Sequence, residues 1–210
     1  MKKEIKLYST LFFLTISTLI LGSCGAEKNM KKGEKYLAVG EYYDAATQFK
    51  RAYQRTAPKE REKRGKIALK VAFCNERINS TQKALAAYSN AIRYNQASMQ
   101  DRLSYARLLL KNGAYKQAET EFRTVLDSMP DNVLAKNGLA SAQNAPQWKK
   151  DGSRYQVKRM DVFNSRRDDY SPVLGGDQYD YLYFTSTRND ATGNELSGIT
   201  GAKAADIFVS

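Results

Sequence analysis

The chain has 210 residues and is 42% apolar, enough for one or two folded domains and too apolar for a wholly disordered chain. Its 34 Lys and Arg against 22 Asp and Glu give a net charge of +12, which suits an anionic partner. It has no histidine, which excludes Ser-His-Asp and Cys-His catalysis, His-ligated zinc and the ordinary pH switch; no cofactor is expected.

Lys2, Lys3 and Lys6 open the chain, and Leu7 to Leu21 is then almost uncharged and mostly apolar. That run has the length of a signal-peptide core and falls short of the roughly 20 residues of a membrane-spanning helix. Leu21-Gly22-Ser23-Cys24 follows. It resembles the bacterial lipobox, where small residues let the signal peptidase cut before a diacylated cysteine. The resemblance implies that residues 1–23 are removed, that Cys24 carries the lipid, and that 24–28 is a short linker. Acyl chains supply membrane affinity at about 0.8 kcal/mol per buried methylene. The leader holds three Lys and Glu4, so the mature part carries 12 − 2 = +10. Export makes anionic lipid, acidic glycan or an acidic protein the expected partners; nucleic acid is not expected. With Cys24 acylated, Cys74 has no partner for an internal disulfide and is expected to be a small buried helix residue.

Next comes a helical array. Gly33, Tyr36, Ala45, Phe49 and Ala52 form one set. Ala72, Asn75, Ala84, Tyr88 and Ala91 repeat its spacing, as do Ala106, Leu109, Ala118, Phe122 and Val125, with Pro130 closing the unit. Ala118 lies 118 − 84 = 34 residues after Ala84, and Ala84 lies 84 − 45 = 39 after Ala45. The charged run Lys59 to Arg64 is expected to take up the five extra residues as a longer turn. Gly40, Asn79 and Gly113 stand at one offset and can take the left-handed conformation that ends a helix. The physical reading is pairs of antiparallel helices, with small alanines at the close crossings. These sets resemble tetratricopeptide repeats, three over about residues 29–129 and a capping helix at Val133 to Gln143, assigning 29–145 to the array.

The resemblance implies a scaffold whose concave groove is lined by the first helix of each pair. The aligned positions hold Met30, Glu34 and Leu37, then Leu69, Phe73 and Arg77, then Leu103, Arg107 and Lys111. Of these, Glu34, Phe73, Arg77, Leu103, Arg107 and Lys111 are the candidate partner-binding residues. They suggest an apolar wall with a basic rim, suited to an acidic, partly apolar segment of another protein. Met30 and Glu34 stand where the family's carboxylate clamp has Lys and Asn, so that specificity is not matched. Asp127-Ser128-Met129 resembles an O-glycosylation acceptor, making Ser128 a candidate modification site.

Pro146-Gln147-Trp148 is expected to end the helices. Period-two alternation then predicts strands over Tyr155 to Val162 and Asp180 to Ser186, with a third at Asp206 to Ser210. Tyr170-Ser171-Pro172, Asp177, the aromatic run Leu182 to Ser186, Arg188 and Asp206-Ile207-Phe208 resemble a TolB-like propeller blade. Residues 146–210 hold about one blade, whereas propellers have typically four to eight, so the chain is expected to be a truncated piece. The expected fold class is an all-α tetratricopeptide-repeat solenoid followed by the start of an all-β propeller.

Lipobox, repeats and blade in this order resemble PorE-like outer-membrane lipoproteins of the Bacteroidota, which are associated with type IX secretion and continue into an OmpA-like peptidoglycan-binding domain. The resemblance implies a non-enzymatic scaffold, lipid-anchored in the outer membrane and facing the periplasm, that docks envelope or secretion-complex proteins. Peptidoglycan would bind the missing C-terminal domain. The alternative is the N-terminal region of a propeller-containing exported peptidase or hydrolase, whose nucleophile would lie beyond Ser210; no Gly-x-Ser-x-Gly elbow occurs here.

Overall fold

The computed structural model describes residues 25–193 and 195–210, so Cys24 and the leader lie outside the described residues. The chain divides into a helical unit ending at Lys150 and a β unit, Asp151–Ser210.

The helical unit runs α1 (25–38), α2 (Tyr42–Arg55), α3 (Arg61–Arg77), α4 (Thr81–Arg93), α5 (Met99–Lys111), α6 (Tyr115–Ser128) and α7 (Val133–Asp151). The turn residues act as their spacing requires. Gly40, Asn79 and Gly113 take φ of 80°, 61° and 79°, each ending the first helix of a pair. Pairing follows from the buried stripe: Ala45, Phe49, Ala52, Ala84, Ala91, Ala118, Phe122 and Val125 are all completely buried. Methyl-sized side chains let the helix backbones approach, and the ring one turn on fills the space beside them. Two apolar clusters result. One gathers Ala45, Phe49, Ala52, Ile67 and Cys74. The other runs from Ala72 through Leu103 and Phe122 to Ala142. Cys74 is buried and free, as its place in α3 predicts; burial pushes its thiol up to about 11, so it stays protonated.

Besides residues 25–28, which form the first turn of α1 where a linker was expected, two boundaries differ from the expectation. The charged run is mostly helix, since α3 begins at Arg61 and has 17 residues against 13 in α5. Glu60 accepts the Ala57 N–H at 3.1 Å, and Arg64 donates to the Thr56 carbonyl at 2.8 Å while lying 4.1 Å from the Tyr53 ring centroid. These charges tie the first turn of α3 to the end of α2, leaving only residues 56–60 as the turn. The second correction is at Pro146, which lies inside α7. A proline removes one helical hydrogen bond without stopping a helix already thirteen residues long. Asn132 caps that helix at its start, its side-chain oxygen accepting the Ala135 N–H at 2.9 Å.

In the β unit, β1 (Asp169–Gly175), β2 (Tyr181–Ser186) and β3 (Asp206–Val209) form an antiparallel sheet in the order β1-β2-β3. Residues 155–162 form no strand, contrary to their alternation; Val157 is 95% exposed, and an isolated extended segment has no ladder to join. Instead β1 contains Ser171 and Pro172, residues that read as an entry turn. The register slips between Tyr170 and Val173, so the proline sits at a bulge where it removes no ladder bond.

One polar hub organises this unit. The Asp169 carboxylate accepts from the Ser186 hydroxyl at 2.6 Å, the Ser165 N–H at 2.5 Å and Arg188 at 3.0 Å. The Arg188 guanidinium lies 4.7 and 4.8 Å from the Phe184 and Phe208 ring centroids. Asp206 secures the Gly-rich loop, accepting the Thr192 N–H at 2.6 Å. The Ser186 hydroxyl, the Ser165 N–H and Arg188 hold the Asp169 carboxyl below the usual carboxylate range. A depressed carboxyl stabilises the fold above its unfolded pKa of about 4 and loses that contribution as pH falls through the native value. The β unit should therefore lose stability progressively as pH falls below about 4. Ser186→Ala removes the buried donor and should cost about 1–3 kcal/mol and raise the onset of that acid loosening. Amide exchange of β1 and β2 against pH checks both; protection unchanged in the variant would remove the hub from the unit's stability.

Candidate functional site: a basic wall on the first helices of each pair

On α3, Lys70, Phe73 and Arg77 are spaced i, i+3, i+7 and share one face. Glu34 of α1 reaches it, pairing with Lys70 at 2.8 Å, and Lys111 of α5 donates to the Asn79 side-chain oxygen just beyond α3. These two links place α1, α3 and α5 side by side, as the repeat spacing predicts. Arg107 is one helical turn before Lys111 and exposed; it makes no ion pair among the described residues.

The centre of the wall is aromatic. Phe73 is 42% exposed and stands edge-on to Tyr42, with ring centroids 6.2 Å apart at 70°. The Arg77 guanidinium lies 5.6 Å from both ring centroids. Such stacking fixes a long side chain over a flat apolar platform while leaving its outer N–H groups for an acceptor. The Glu34–Lys70 pair is too exposed to add more than about 1 kcal/mol, so it orients the two side chains and stabilises little.

One expected member is absent. Leu103 is 1% exposed and belongs to the core with Ala106 and Leu109. Its spacing to Ala106 and Leu110, i, i+3 and i+7, is that of the core stripe, and a leucine has no polar end to hold it at the surface. The wall is therefore less apolar than its sequence suggests, with Phe73 as its large exposed apolar side chain. Sequence reasoning missed Tyr42 and Lys70, although Lys70 lies seven residues before Arg77 on the same helical face. Met30 and Leu37 are half-buried against the cluster that holds Phe49 and Ile67. Ser128, the candidate acceptor, is the exposed last residue of α6.

On the opposite side of α3 a cleft of about 590 Å3 lies between α2 and α4. Ala68 and Val71 form its floor, and Lys50, Arg51 and Lys83 are the charged residues of its lining. Among the described residues no cluster of Cys, Asp or Glu could hold a metal ion, and no helix is long and apolar enough to cross a membrane.

No family model matches the chain, and no curated protein does. Solved structures do. The C-terminal tetratricopeptide domain of a Plasmodium falciparum FK506-binding protein superposes with a TM-score of 0.52 at 14% identity, over 62% of this chain and 94% of that one. The second tetratricopeptide domain of human RPAP3, solved with an HSP70 peptide, gives 0.46 at 16% identity over 59% and 96%. The Arabidopsis OM64 tetratricopeptide domain gives 0.47 at 16% identity over 59% and 98%. Repeat spacing, left-handed turns and the superposition on the Plasmodium falciparum domain agree: the helical unit has the tetratricopeptide-repeat fold.

Proposed function

We propose that the chain is a non-enzymatic scaffold that docks an acidic segment of a partner protein on the α1–α3–α5 wall. The observation that carries this reading is the alignment of Lys70, Arg77, Arg107 and Lys111 around the exposed Phe73 and its half-buried neighbour Tyr42. A carboxylate-bearing segment would find guanidinium and ammonium donors along three helices and one aromatic contact between them. Charge acts on association and the platform on residence, so capture should weaken as salt rises.

The wider setting belongs to the same proposal. Cys24 is lipidated, the chain is held on the outer membrane facing the periplasm, and the partners are proteins of an envelope or type IX-like secretion complex. The sheet is one blade of a TolB-type propeller, a reading supported by the uncovered Tyr170, Val173, Tyr181 and Tyr183. Peptidoglycan binding would fall to an OmpA-like domain of a longer protein.

The test is affinity capture from envelope extract with the full chain. Arg107→Glu with Lys111→Glu should lose most captured protein. Lys50→Glu with Lys83→Glu, which alters the cleft between α2 and α4, should leave capture unchanged. If the wall variant recovers the same proteins as wild type, or the cleft variant loses them instead, the wall is not the docking site.

A further inference from the structure

The free face of α1 carries a second pattern. Lys28, Lys31, Lys32 and Lys35 are spaced i, i+3, i+4, i+7, so they form one stripe about 10 Å long. All four are exposed, and they line one shallow depression of about 530 Å3 with a single acid, Glu27, at its margin. The Glu27–Lys31 pair is 4.0 Å long with both side chains largely in solvent, which neutralises little. The Lys32 ammonium lies 5.7 Å from the Tyr36 ring centroid.

The opposite face of the same helix is committed to the fold. Ala26, Asn29 and Gly33 are buried, and Gly33 lies against the Phe49 ring of α2. The lysine stripe therefore points away from the helices it packs on. Lys28 is four residues after Cys24, so any lipid on that cysteine would hold the stripe within one helical turn or so of the bilayer surface.

We infer that this stripe is a membrane-contact surface that lies on anionic phospholipid headgroups. The inference rests on the reading of Cys24 as the lipidated residue. An acyl anchor fixes the chain to the bilayer but leaves it free to swing; four ammonium groups against headgroup phosphates would fix which way the array stands. With α1 against the surface, the successive pairs stack outward from the membrane and the basic wall faces sideways, open to a partner. The plainer role for such a stripe is to keep the end of a repeat array soluble.

The two roles part on vesicles. The full chain without its leader and with Cys24→Ser carries no acyl group, so its binding reads the charge of the protein without the anchor. Co-sedimentation with phosphatidylcholine vesicles and with phosphatidylcholine–phosphatidylglycerol vesicles should show preference for the anionic ones, lost at high salt. Changing Lys28, Lys31, Lys32 and Lys35 together to Gln should weaken that binding at least tenfold. Changing Lys50, Lys83, Lys116 and Lys136 to Gln removes equal charge elsewhere and should change it less than threefold. Equal binding to both vesicles, or equal losses in both variants, would overturn the inference. Fatty-acid labelling of Cys24 in cells is read separately: absent label with retained vesicle binding sinks the anchor and leaves the stripe standing, whereas label without vesicle binding does the reverse.

Discussion

Phe122→Ala is expected to cost the helical unit about 3–5 kcal/mol, the usual range for emptying a buried phenylalanine site. Phe122 is completely buried, and its ring lies against Gly138 of α7. It thus joins the last helix pair to the helix that caps it. For an array of this length the loss corresponds to a fall of roughly 10–20 °C in melting temperature. The effect should also be local. Phe122 belongs to the cluster running from α3 to α7, while Phe49 belongs to the one built on α2 and α3. Phe122→Ala should therefore release amide protons of α5 to α7 before those of α1 and α2, with the order reversed in Phe49→Ala. A loss under about 1 kcal/mol, or exchange rising uniformly along the array, would contradict this packing.

Gly138→Val should be nearly as damaging, and its sign runs against helix propensity. A glycine inside an exposed helix is usually improved by a side chain, by about 0.5–1 kcal/mol for alanine. Here an added Cβ would fall 2.2 Å from the Phe122 Cζ and 2.4 Å from its Cε1. Gly33 repeats the arrangement, its Cβ position 2.5 Å from the Phe49 Cε1. Ring and helix must separate, at about 3 kcal/mol for valine. Combining Gly138→Val with Phe122→Ala supplies space for the new side chain, so the double variant should be more stable than the sum of the singles by at least about 1 kcal/mol. Denaturant melts of the four proteins decide it; additive costs, or a stabilised Gly138→Val, would show that ring and glycine do not share one space.

The helical unit was legible because its signals are local and redundant. Three sets of small and aromatic residues recur in phase with Gly40, Asn79 and Gly113, and each turn residue confirms the alignment of the others. Leu103 was misplaced because alignment gives a position on the helix without the depth of that position; burial depends on what α5 packs against. The β unit was harder, since a strand exists through its partner. Tyr155 to Val162 alternates without one, while Tyr170-Ser171-Pro172 reads as a turn yet joins a ladder by placing its proline at a bulge. Charge was legible as composition, but its division between the wall and the lysine stripe required knowing which side chains face outward.

Because α2 to α6 pack chiefly on their sequence neighbours, the array has little to lock its first pair to its last. A load applied through the amino-terminal end would fall first on the contact between α1 and α2 and would then pass along the chain one pair at a time. Each 34-residue step would release roughly 110–120 Å of slack. A scaffold tethered at that end would thus yield stepwise under tension, one pair at a time, while its distal pairs, and anything bound to them, stay folded.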